Sequence, residues 1–529
     1  MKKQIIYLSM MLLTLTACTT KKDIPLVDSG ISTIAETNIK YDVEQTILSK
    51  GFQSIIPNVE VLEKGLNGTF LVNLGVVECS MASVDSISRV NNEINIFTSI
   101  KKEWGKTDIV VPQIKLKIKN IDDAEISDLK FNIIPVNYTP IDLKFDKTQV
   151  LNKIYTQLKY TNNTAPNVSL VKENDEFIWN IKLNNTFAKD NPSSPLYMVK
   201  AKISSVTGEL IEAKPILLSQ IIDSGKILDF ADDKYIVYSQ KEIIEKSETE
   251  SIWLYDITDS NKQKVYSTHN HIYSTKLSPD LKKLAIIEHN GKLSDLYVVD
   301  LDKTVVQKIT PMDYKHIWNI NWKDNNTLYG INNDDKNKSS VILFNIENNN
   351  QEVISTVRLN VSSFDIYEDT FAFVDSDFDK DISHVYIKEK DKRLKKIDYG
   401  IDCKFADENS LLYIKKLEKE DKFQLYLYNL KENEEKLVLD LDVRKFIIID
   451  KDNILAVTKN TSSTDYSLHL HNLKENKTTL LGQVLDKNIF YSSQLNTAFF
   501  SVVPASENPN SEFIYGVDFN KLTEYEKDS

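Results

Sequence analysis

Residues 276–309, KLSPDLKKLAIIEHNGKLSDLYVVDLDKTVVQKI, contain the unit that decides the fold. The segment predicts three strands and their turns. A tight turn at Ser278–Asp280 precedes an apolar strand at Leu284–Ile287, and a turn at Gly291 precedes a second strand at Leu296–Leu301. One such unit cannot complete its own sheet or bury both of its faces, so we expect copies of it elsewhere in the chain.

The last strand of this unit and its turn recur at regular intervals. Successive copies are 40 to 46 residues apart, and they are marked by Asp256, Asp300, Asn345, Glu389, Asn429, Asn472 and Asp518. A period of about forty residues is typical of a four-stranded propeller blade. The fold is therefore predicted to be mainly β, with a C-terminal β-propeller of about seven four-stranded blades over residues 221–529.

The distribution of apolar residues within the unit agrees with a closed ring of blades. Strands in the middle of a blade are covered by neighbouring blades, which suits the continuous apolar run Leu284–Ile287. The outermost strand is half exposed, which suits the more polar Lys303–Lys308. Radial closure leaves only short sheet edges exposed.

Residues 276–301 resemble the TolB-type, WD40-like propeller repeat, in which a Ser-Pro-Asp-Gly turn and an apolar strand precede a strand ending in Asp-Leu. Leu281 stands where that repeat has Gly, and the Gly-His and Trp-Asp signatures of true WD40 repeats are absent. The resemblance implies a propeller over the C-terminal three fifths of the chain. It also implies, loosely, an accessory role in envelope assembly or sensing, since the motif is specific for fold rather than activity.

Residues 42–220 have a different pattern and predict a sheet-rich α+β domain of no assigned family. Val43–Lys50, followed by Gly51, is compatible with a short helix and its C-cap. A second helix is predicted after an N-cap at Asp146 or Thr148, since Val150, Leu151, Ile154 and Leu158 share one helical face. The predicted strands are Thr69–Val77, Glu93–Ile100, Val110–Ile118, Ile126–Ile134, Glu176–Leu183 and Leu196–Ser204.

The N-terminus has the pattern of an export signal over residues 1–17. Lys2 and Lys3 precede the apolar segment Ile5–Leu15, which is too short to span a membrane as a mature helix. Residues 15–18, Leu-Thr-Ala-Cys, resemble the lipobox of bacterial lipoproteins. That resemblance implies cleavage before Cys18 and a diacylglycerol on its thiol; a plain secretory signal with an incidental cysteine is the alternative.

A lipidated Cys18 predicts where the protein resides. Residues 18–41 would be a polar tether, and the rest of the chain would be extracytoplasmic, anchored to the cell membrane, or to the outer membrane if the organism has one. The two other cysteines, Cys79 and Cys403, fall in different predicted domains and in strand-like runs, which favours buried free thiols. The net charge of −12 argues against a nucleic-acid partner.

The sequence contains no recognised catalytic motif. The G-x-S-x-G, H-E-x-x-H and C-x-x-C patterns are all absent, and we predict no catalytic residue and no cofactor. A pair of carboxylates drawn from different blades, as in propeller glycosidases, leaves no local signature and stays open.

Three groups of residues are candidates for ligand binding. Asp375, Asp377, Asp379 and Asp381 alternate as in the first half of a calcium loop, but Lys380 stands where the turn Gly would be, so a solvated loop is favoured over a metal site. Two His-x-His pairs, His269 with His271 and His469 with His471, could chelate a metal, but the second pair occupies ordinary blade positions. Trp253, Trp318 and Trp322 favour core packing over a carbohydrate-stacking platform.

Two functions remain after these observations. The first is a non-catalytic binding scaffold, in which the propeller binds a protein or glycan of the cell envelope. The alternative is an envelope hydrolase of glycans or peptides with a carboxylate site in the propeller channel. The hydrolase predicts converging Asp and Glu residues with raised pKa values in the channel, whereas a binding protein predicts an apolar or uniformly polar channel.

Overall fold

The computed structural model describes residues 37–527 except 65–66, 120, 122–125, 163, 245–246, 310–315, 335–337, 378–381, 418–421, 460–465 and 505–511. The chain forms two compact units, one containing residues 37–49 and 56–141 and the other residues 50–55 and 142–527. Strands dominate both, so the mainly β fold is confirmed. Among the described residues, no helix has the length and apolar character needed to cross a membrane.

The first unit contains two sheets that enclose one core. One sheet has the strand order β1-β6-β7-β9 and the other β2-β8-β4-β3, with β5 also paired to β8. Phe70, Ile96 and Leu116, from three different strands, are buried together between them. The strands are β1 Thr37–Asn38, β2 Tyr41–Ser49, β3 Asn58–Glu63, β4 Thr69–Asn73, β5 Val77–Cys79, β6 Met81–Val90, β7 Glu93–Lys101, β8 Asp108–Ile118 and β9 Lys130–Pro135.

The predicted helix at Val43–Lys50 is wrong, because all of these residues except Lys50 lie in strand β2. Val43 and Ile47 are spaced as on one helical face, yet both are exposed on a strand that pairs with β8. Backbone pairing with a long neighbouring strand outweighs this local pattern, since strand formation depends on context more than on propensity.

The second unit begins with helix α1, Lys147–Leu158, and a five-stranded sheet. Asp146 is the N-cap: its carboxylate accepts the amide of Gln149 at 2.8 Å, and the Gln149 side chain accepts the Asp146 amide at 2.9 Å. This capping box confirms the helix predicted from its apolar face, and Val150 and Ile154 are buried. The sheet strands are β10 Tyr160–Asn162, β11 Asn167–Glu173, β12 Glu176–Ala188, β13 Leu196–Ser204 and β14 Leu210–Ser219.

The rest of the second unit is a propeller in which the described residues form seven four-stranded blades. Blades 1, 2 and 3 contain β16–β19, β20–β23 and β24–β27, blade 6 contains β35–β38, and β28–β34 form blades 4 and 5 with the long β31 shared between them. The strands are β15 Ile221–Ser224, β16 Lys226–Ala231, β17 Tyr235–Ile244, β18 Ser247–Asp256, β19 Lys262–Thr268, β20 His271–Leu277, β21 Lys283–His289, β22 Ser294–Asp300, β23 Val305–Lys308, β24 Ile317–Trp322, β25 Thr327–Asn333, β26 Ser339–Asn345, β27 Gln351–Val357, β28 Val361–Tyr367, β29 Thr370–Asp377, β30 Ile382–Glu389, β31 Lys395–Asp407, β32 Ser410–Lys416, β33 Phe423–Asn429, β34 Glu434–Leu439, β35 Val443–Ile448, β36 Asn453–Lys459, β37 Tyr466–Asn472, β38 Lys477–Val484, β39 Phe490–Ser492, β40 Thr497–Val502 and β41 Phe513–Asp518.

Blade 7 closes the ring with both ends of the propeller sequence. It contains β39, β40 and β41, and its outermost strand is β15, the first propeller strand, which begins at Ile221. Gly225 connects β15 to blade 1 with a φ of +130°, and a Cβ there would lie 2.3 Å from the carbonyl oxygen of Ser239. The closure therefore requires glycine at this position.

The repeat marker has a structural cause. Each of the seven marked residues is the last residue of the third strand of a blade. Six are Asp or Asn, and each accepts a backbone amide from two or three residues later, as Asp256 does from Thr258 at 2.8 Å and Asn472 from Glu475 at 2.7 Å. In blades 1, 2, 3, 5 and 6 these side chains form the turn into the outermost strand, whereas Asp518 of blade 7 is followed by the helix Phe519–Lys527.

The Ser278–Asp280 turn keeps the geometry of a glycine turn without glycine. Ser278 Oγ donates to Asp280 and accepts the amide of Lys283 at 2.9 Å. Leu281, which stands where the resembled repeat has Gly, adopts a φ of +60°, a left-handed conformation that glycine favours. The substitution is therefore accommodated by the backbone.

Apolar clusters connect every blade to the next. Five clusters join blades 1 and 2, 2 and 3, 3 and 4, 4 and 5, and 5 and 6, and a sixth cluster joins blades 7 and 1. The interface of blades 6 and 7 also takes in Phe187, Met198 and Ile216 from the five-stranded sheet, with Phe519 of helix α2, Phe519–Lys527. The second compact unit thus includes residues on both sides of the predicted boundary at 220.

Candidate functional site

The first strand of each blade lies innermost and lines the propeller channel. Adjacent inner strands contact each other, as β16 does β20 and as β20 does β24. In each blade, one residue of the inner strand pairs with the third residue of the second strand, so these inner-strand residues occupy equivalent positions around the ring. These equivalent residues are Asp229, Lys276, Asn321, Asp365, Lys404, Ile447 and Phe490.

Blades 1 and 2 are joined across this level of the channel by a carboxylate. Asp229 is 4% exposed and accepts hydrogen bonds from the Lys276 ammonium and from the Leu277 backbone amide, the latter at 3.1 Å. Trp322 of blade 3 donates its indole N–H to the Lys276 carbonyl oxygen at 2.9 Å. Lys276 is therefore held through both its side chain and its backbone.

Blades 4 and 5 repeat the same arrangement. Asp365 accepts the Phe405 backbone amide at 2.8 Å and lies 3.5 Å from the Lys404 ammonium. Burial lowers the pKa of Lys404, but the nearby carboxylates of Asp365 and Asp402 outweigh it and raise the pKa above its usual value. Lys404 is thus charged, and the two Asp–Lys pairs occupy equivalent positions in different parts of the ring.

A second level of the channel contains Asp402 and Lys445, two residues before Lys404 and Ile447 and on the same strand faces. Burial raises the pKa of Asp402, against the opposing effects of Lys404, a backbone amide and Lys445. Burial lowers the pKa of Lys445 against the opposing effects of the Asp402 and Asp486 carboxylates, and the positive charges of Lys276 and Lys404 add to the effect of burial. Three lysines and three aspartates therefore influence one another across the channel: Lys276, Lys404, Lys445, Asp365, Asp402 and Asp486.

Lys445 has few compensating contacts. Its ammonium lies 3.4 Å from the Ile489 carbonyl oxygen and 5.2 Å from the centre of the Phe490 ring. Among the described residues it forms no ion pair, in contrast to Lys276 and Lys404. An anionic group of a ligand can bind next to an enclosed cation that has no direct counter-ion.

An aromatic cluster lies where the inner strands of blades 2 and 3 begin, at one mouth of the channel. Tyr273, 48% exposed, meets Trp318 edge-on with ring centres 4.9 Å apart. His271 and His316 flank them, with ring centres 6.2 Å from Tyr273 and 6.3 Å from Trp318. Trp318 therefore belongs to the channel mouth rather than to the core.

His269, His271 and His471, from the two His-x-His pairs, each lie within hydrogen-bonding distance of a protein group. His271 Nδ1 lies 3.0 Å from the buried Glu250 carboxylate, which also accepts the Ile272 amide, while His269 lies against Thr249 and Glu248 before the strand begins. His469 and His471 occupy the third strand of blade 6, and burial lowers the pKa of both. The interpretation of His469 and His471 as ordinary blade positions agrees with this placement.

The aspartate cluster of blade 4 is only partly within the described residues. Asp375 lies in β29 and accepts the Asn360 amide at 2.8 Å, and Asp377 ends that strand. Asp379 and Asp381 lie outside the described residues. Within the part of the chain that the structure describes, no three His, Cys, Asp or Glu residues form a group that could hold a metal ion.

The remaining predicted side chains pack as expected. Trp322 packs against the cluster between blades 2 and 3, and Trp253 against the cluster between blades 7 and 1. Cys79 and Cys403 are both buried, and burial raises the pKa of each thiol, so neither has the thiolate character of a nucleophile. Cys18 lies outside the described residues.

The channel matches neither pattern expected for the two candidate functions. It is neither apolar nor uniformly polar, and its carboxylates Asp229 and Asp365 are paired with lysines rather than with each other. Asp402 has the raised pKa expected of a general acid, and burial also raises the pKa of Glu512, the residue before β41. Sequence analysis missed these residues because Asp and Lys are abundant along the chain, and only the register of β16, β20, β28, β31 and β35 aligns them.

Comparisons with known proteins agree on the fold. No protein-family model matches the chain, and no curated protein matches it. Solved structures that are similar include the β-propeller domain of the Trilobed protease from Pyrococcus furiosus (17% identity, 56% of this chain, 95% of that chain, TM-score 0.42). TolB from Acinetobacter baumannii (10% identity, 65% and 86%, TM-score 0.32) and an oligogalacturonate lyase in complex with manganese (11%, 68% and 98%, 0.44) are also similar. At these identities the similarity concerns the propeller fold alone.

Proposed function

We propose that the chain is a lipid-anchored, extracytoplasmic binding protein, in which the propeller channel accepts a charged segment of a cell-envelope protein. The observation that carries this proposal is the enclosed Lys445, which shares the channel with Asp402 and has no direct counter-ion among the described residues. An anionic side chain or carboxyl terminus of a partner would supply the missing counter-ion.

The mouth of the channel supports a protein partner. Tyr273 and Trp318 lie next to each other at the rim, and Tyr and Trp are the residues that most often dominate protein–protein interfaces. The alternating charges below them would select a ligand by charge and register, because an unmatched charge in an enclosed site is strongly disfavoured.

The test is affinity capture from detergent-solubilised membranes of the native cell. We expect a stoichiometric protein partner with the wild-type chain and with Lys474→Met, which removes an exposed turn lysine, and at least tenfold less partner with Lys445→Met. Absence of any stoichiometric protein, together with turnover of envelope glycans by the purified chain, would instead favour the second candidate, glycan hydrolysis with Asp402 as general acid.

Lys445→Met is also expected to raise the free energy of unfolding by about 1–2 kcal/mol at pH 7, because it removes a cation that burial disfavours. Since the pKa of Lys445 is lowered in the folded state, the wild-type protein becomes more stable as pH rises through that pKa towards the usual value of 10.5. The advantage of the variant should therefore be largest below this window and lost above it. Denaturant titrations at several pH values measure it, and a destabilised variant at pH 7 would contradict it.

The lipid anchor rests on the Leu-Thr-Ala-Cys segment that ends at Cys18. We expect mass spectrometry of the mature protein to find an N-terminal Cys18 with a diacylglyceryl group, and Cys18→Ser to release the protein from membranes. An unmodified Cys18, or a Cys18→Ser protein that stays in the membrane fraction, would contradict the anchor.

A further inference from the structure

One face of the five-stranded sheet in the second unit carries a row of lysines. Lys182 of β12 lies directly opposite Lys200 of β13, and Lys200 lies directly opposite Lys214 of β14. Adjacent strands are about 4.8 Å apart, so the three side chains start in line across about 10 Å. Like charges directly opposite each other destabilise a sheet. The row therefore concentrates positive charge on one face of the sheet.

The lysines line a concave pocket of about 440 Å³. Its wall contains four lysines, two glutamates and the neutral polar side chains of Asn167, Ser169 and Asn180. Glu173 binds Lys202, the fourth lysine, with both carboxylate oxygens at 2.9 Å. The pocket thus keeps a positive excess in a chain whose net charge is −12.

Along the strands, the lysine face of the sheet changes from charged to apolar. Met198 and Ile216, two residues before Lys200 and two after Lys214, share the lysine face and are buried against blades 6 and 7. On the opposite face Trp179 is buried against Phe52, with ring centres 5.3 Å apart. Apolar contacts therefore hold the sheet on both sides, and the lysine row begins where the contact with the propeller ends.

We propose that this pocket binds a ligand that carries two or more phosphate groups. Lysine ammonium groups are compact charges that suit phosphate, whereas paired recognition of carboxylates favours the planar fork of arginine, which the pocket lacks. A line of three cations about 10 Å long matches consecutive phosphates rather than one. Asn167 and Ser169 lie beside Lys182 and can donate further hydrogen bonds to phosphate oxygens. The site is separate from the propeller channel and independent of its ligand.

The test is calorimetric titration of the detergent-solubilised full chain with inorganic tripolyphosphate at low ionic strength. Lys200 is the centre of the row, so Lys200→Gln should weaken binding at least tenfold. Lys474→Gln, which removes the same charge from an exposed turn of blade 6, should bind as the wild type does. An equal loss in the two variants would show a general effect of net charge and overturn the proposal.

Two further measurements distinguish specific binding in the pocket from general electrostatic attraction and from misfolding of the variant. Without ligand, Lys200→Gln should melt close to the wild-type temperature, since glutamine keeps a long polar side chain with two hydrogen-bond donors at this position. Tripolyphosphate should raise the melting temperature of the wild type but not of this variant. Orthophosphate or citrate binding as tightly as tripolyphosphate would overturn the assignment to a ligand with several phosphates.

Discussion

Tyr515→Ala should lower the free energy of unfolding of the propeller by about 4 kcal/mol, within the range for loss of a buried aromatic ring. Tyr515 is fully buried in the cluster that joins blades 6 and 7 to the five-stranded sheet. Its ring lies 5.8 Å from that of Phe187, and its hydroxyl donates to the Ser194 carbonyl oxygen at 2.8 Å. The substitution would leave a cavity where three elements meet and weaken strand β41, which pairs with β15 to close the ring.

Guanidinium denaturation followed by tryptophan fluorescence measures this effect. Four of the five tryptophans, all except Trp104, belong to the second unit, so the signal reports mainly on that unit. Tyr515→Phe is the matched control: it keeps the ring and loses only the hydrogen bond, at a cost of about 1 kcal/mol. If the two variants unfold at the same denaturant concentration, the packing of the ring does not hold the closure together.

The propeller could be predicted from the sequence because each blade contains its own local signals. In five of the seven blades, the Asp or Asn that ends the third strand forms the following turn through its own side chain, so the signal is visible in a short segment. The helix at Lys147–Leu158 was predictable for the same reason, since its cap at Asp146 and its buried face lie within a few turns. Such features need no knowledge of distant residues.

Features that depend on distant residues could not be predicted. The local pattern of β2 predicts a helix, and only its partner β8, some seventy residues later, makes it a strand. The channel pair Asp365 and Lys404 and the lysine row at Lys182, Lys200 and Lys214 likewise arise from register between strands. A single lysine in a strand is an ordinary exposed residue, and only the neighbours that pairing brings beside it give it a function.

Asp229→Ala should lower the free energy of unfolding by about 3 kcal/mol, the second largest effect we expect. The carboxylate is almost wholly buried and accepts both the Lys276 ammonium and the Leu277 backbone amide. The Lys276 side chain is 41% exposed, so water can replace the ion pair and its loss contributes little. The main cost comes from the buried Leu277 amide, which would lose a charged acceptor without access to water.

Asp365→Ala is the matched variant, because Asp365 occupies the equivalent position in blade 4 and accepts the equivalent amide, that of Phe405. Its side chain is 16% exposed against 4% for Asp229, so water can reach the abandoned amide more easily. We therefore expect a smaller loss, about 1–2 kcal/mol. Asp229→Asn, which keeps an acceptor for the amide, should also lie near the smaller value. Equal losses in the two alanine variants would mean that the ion pairs, not the buried amides, connect neighbouring blades across the channel.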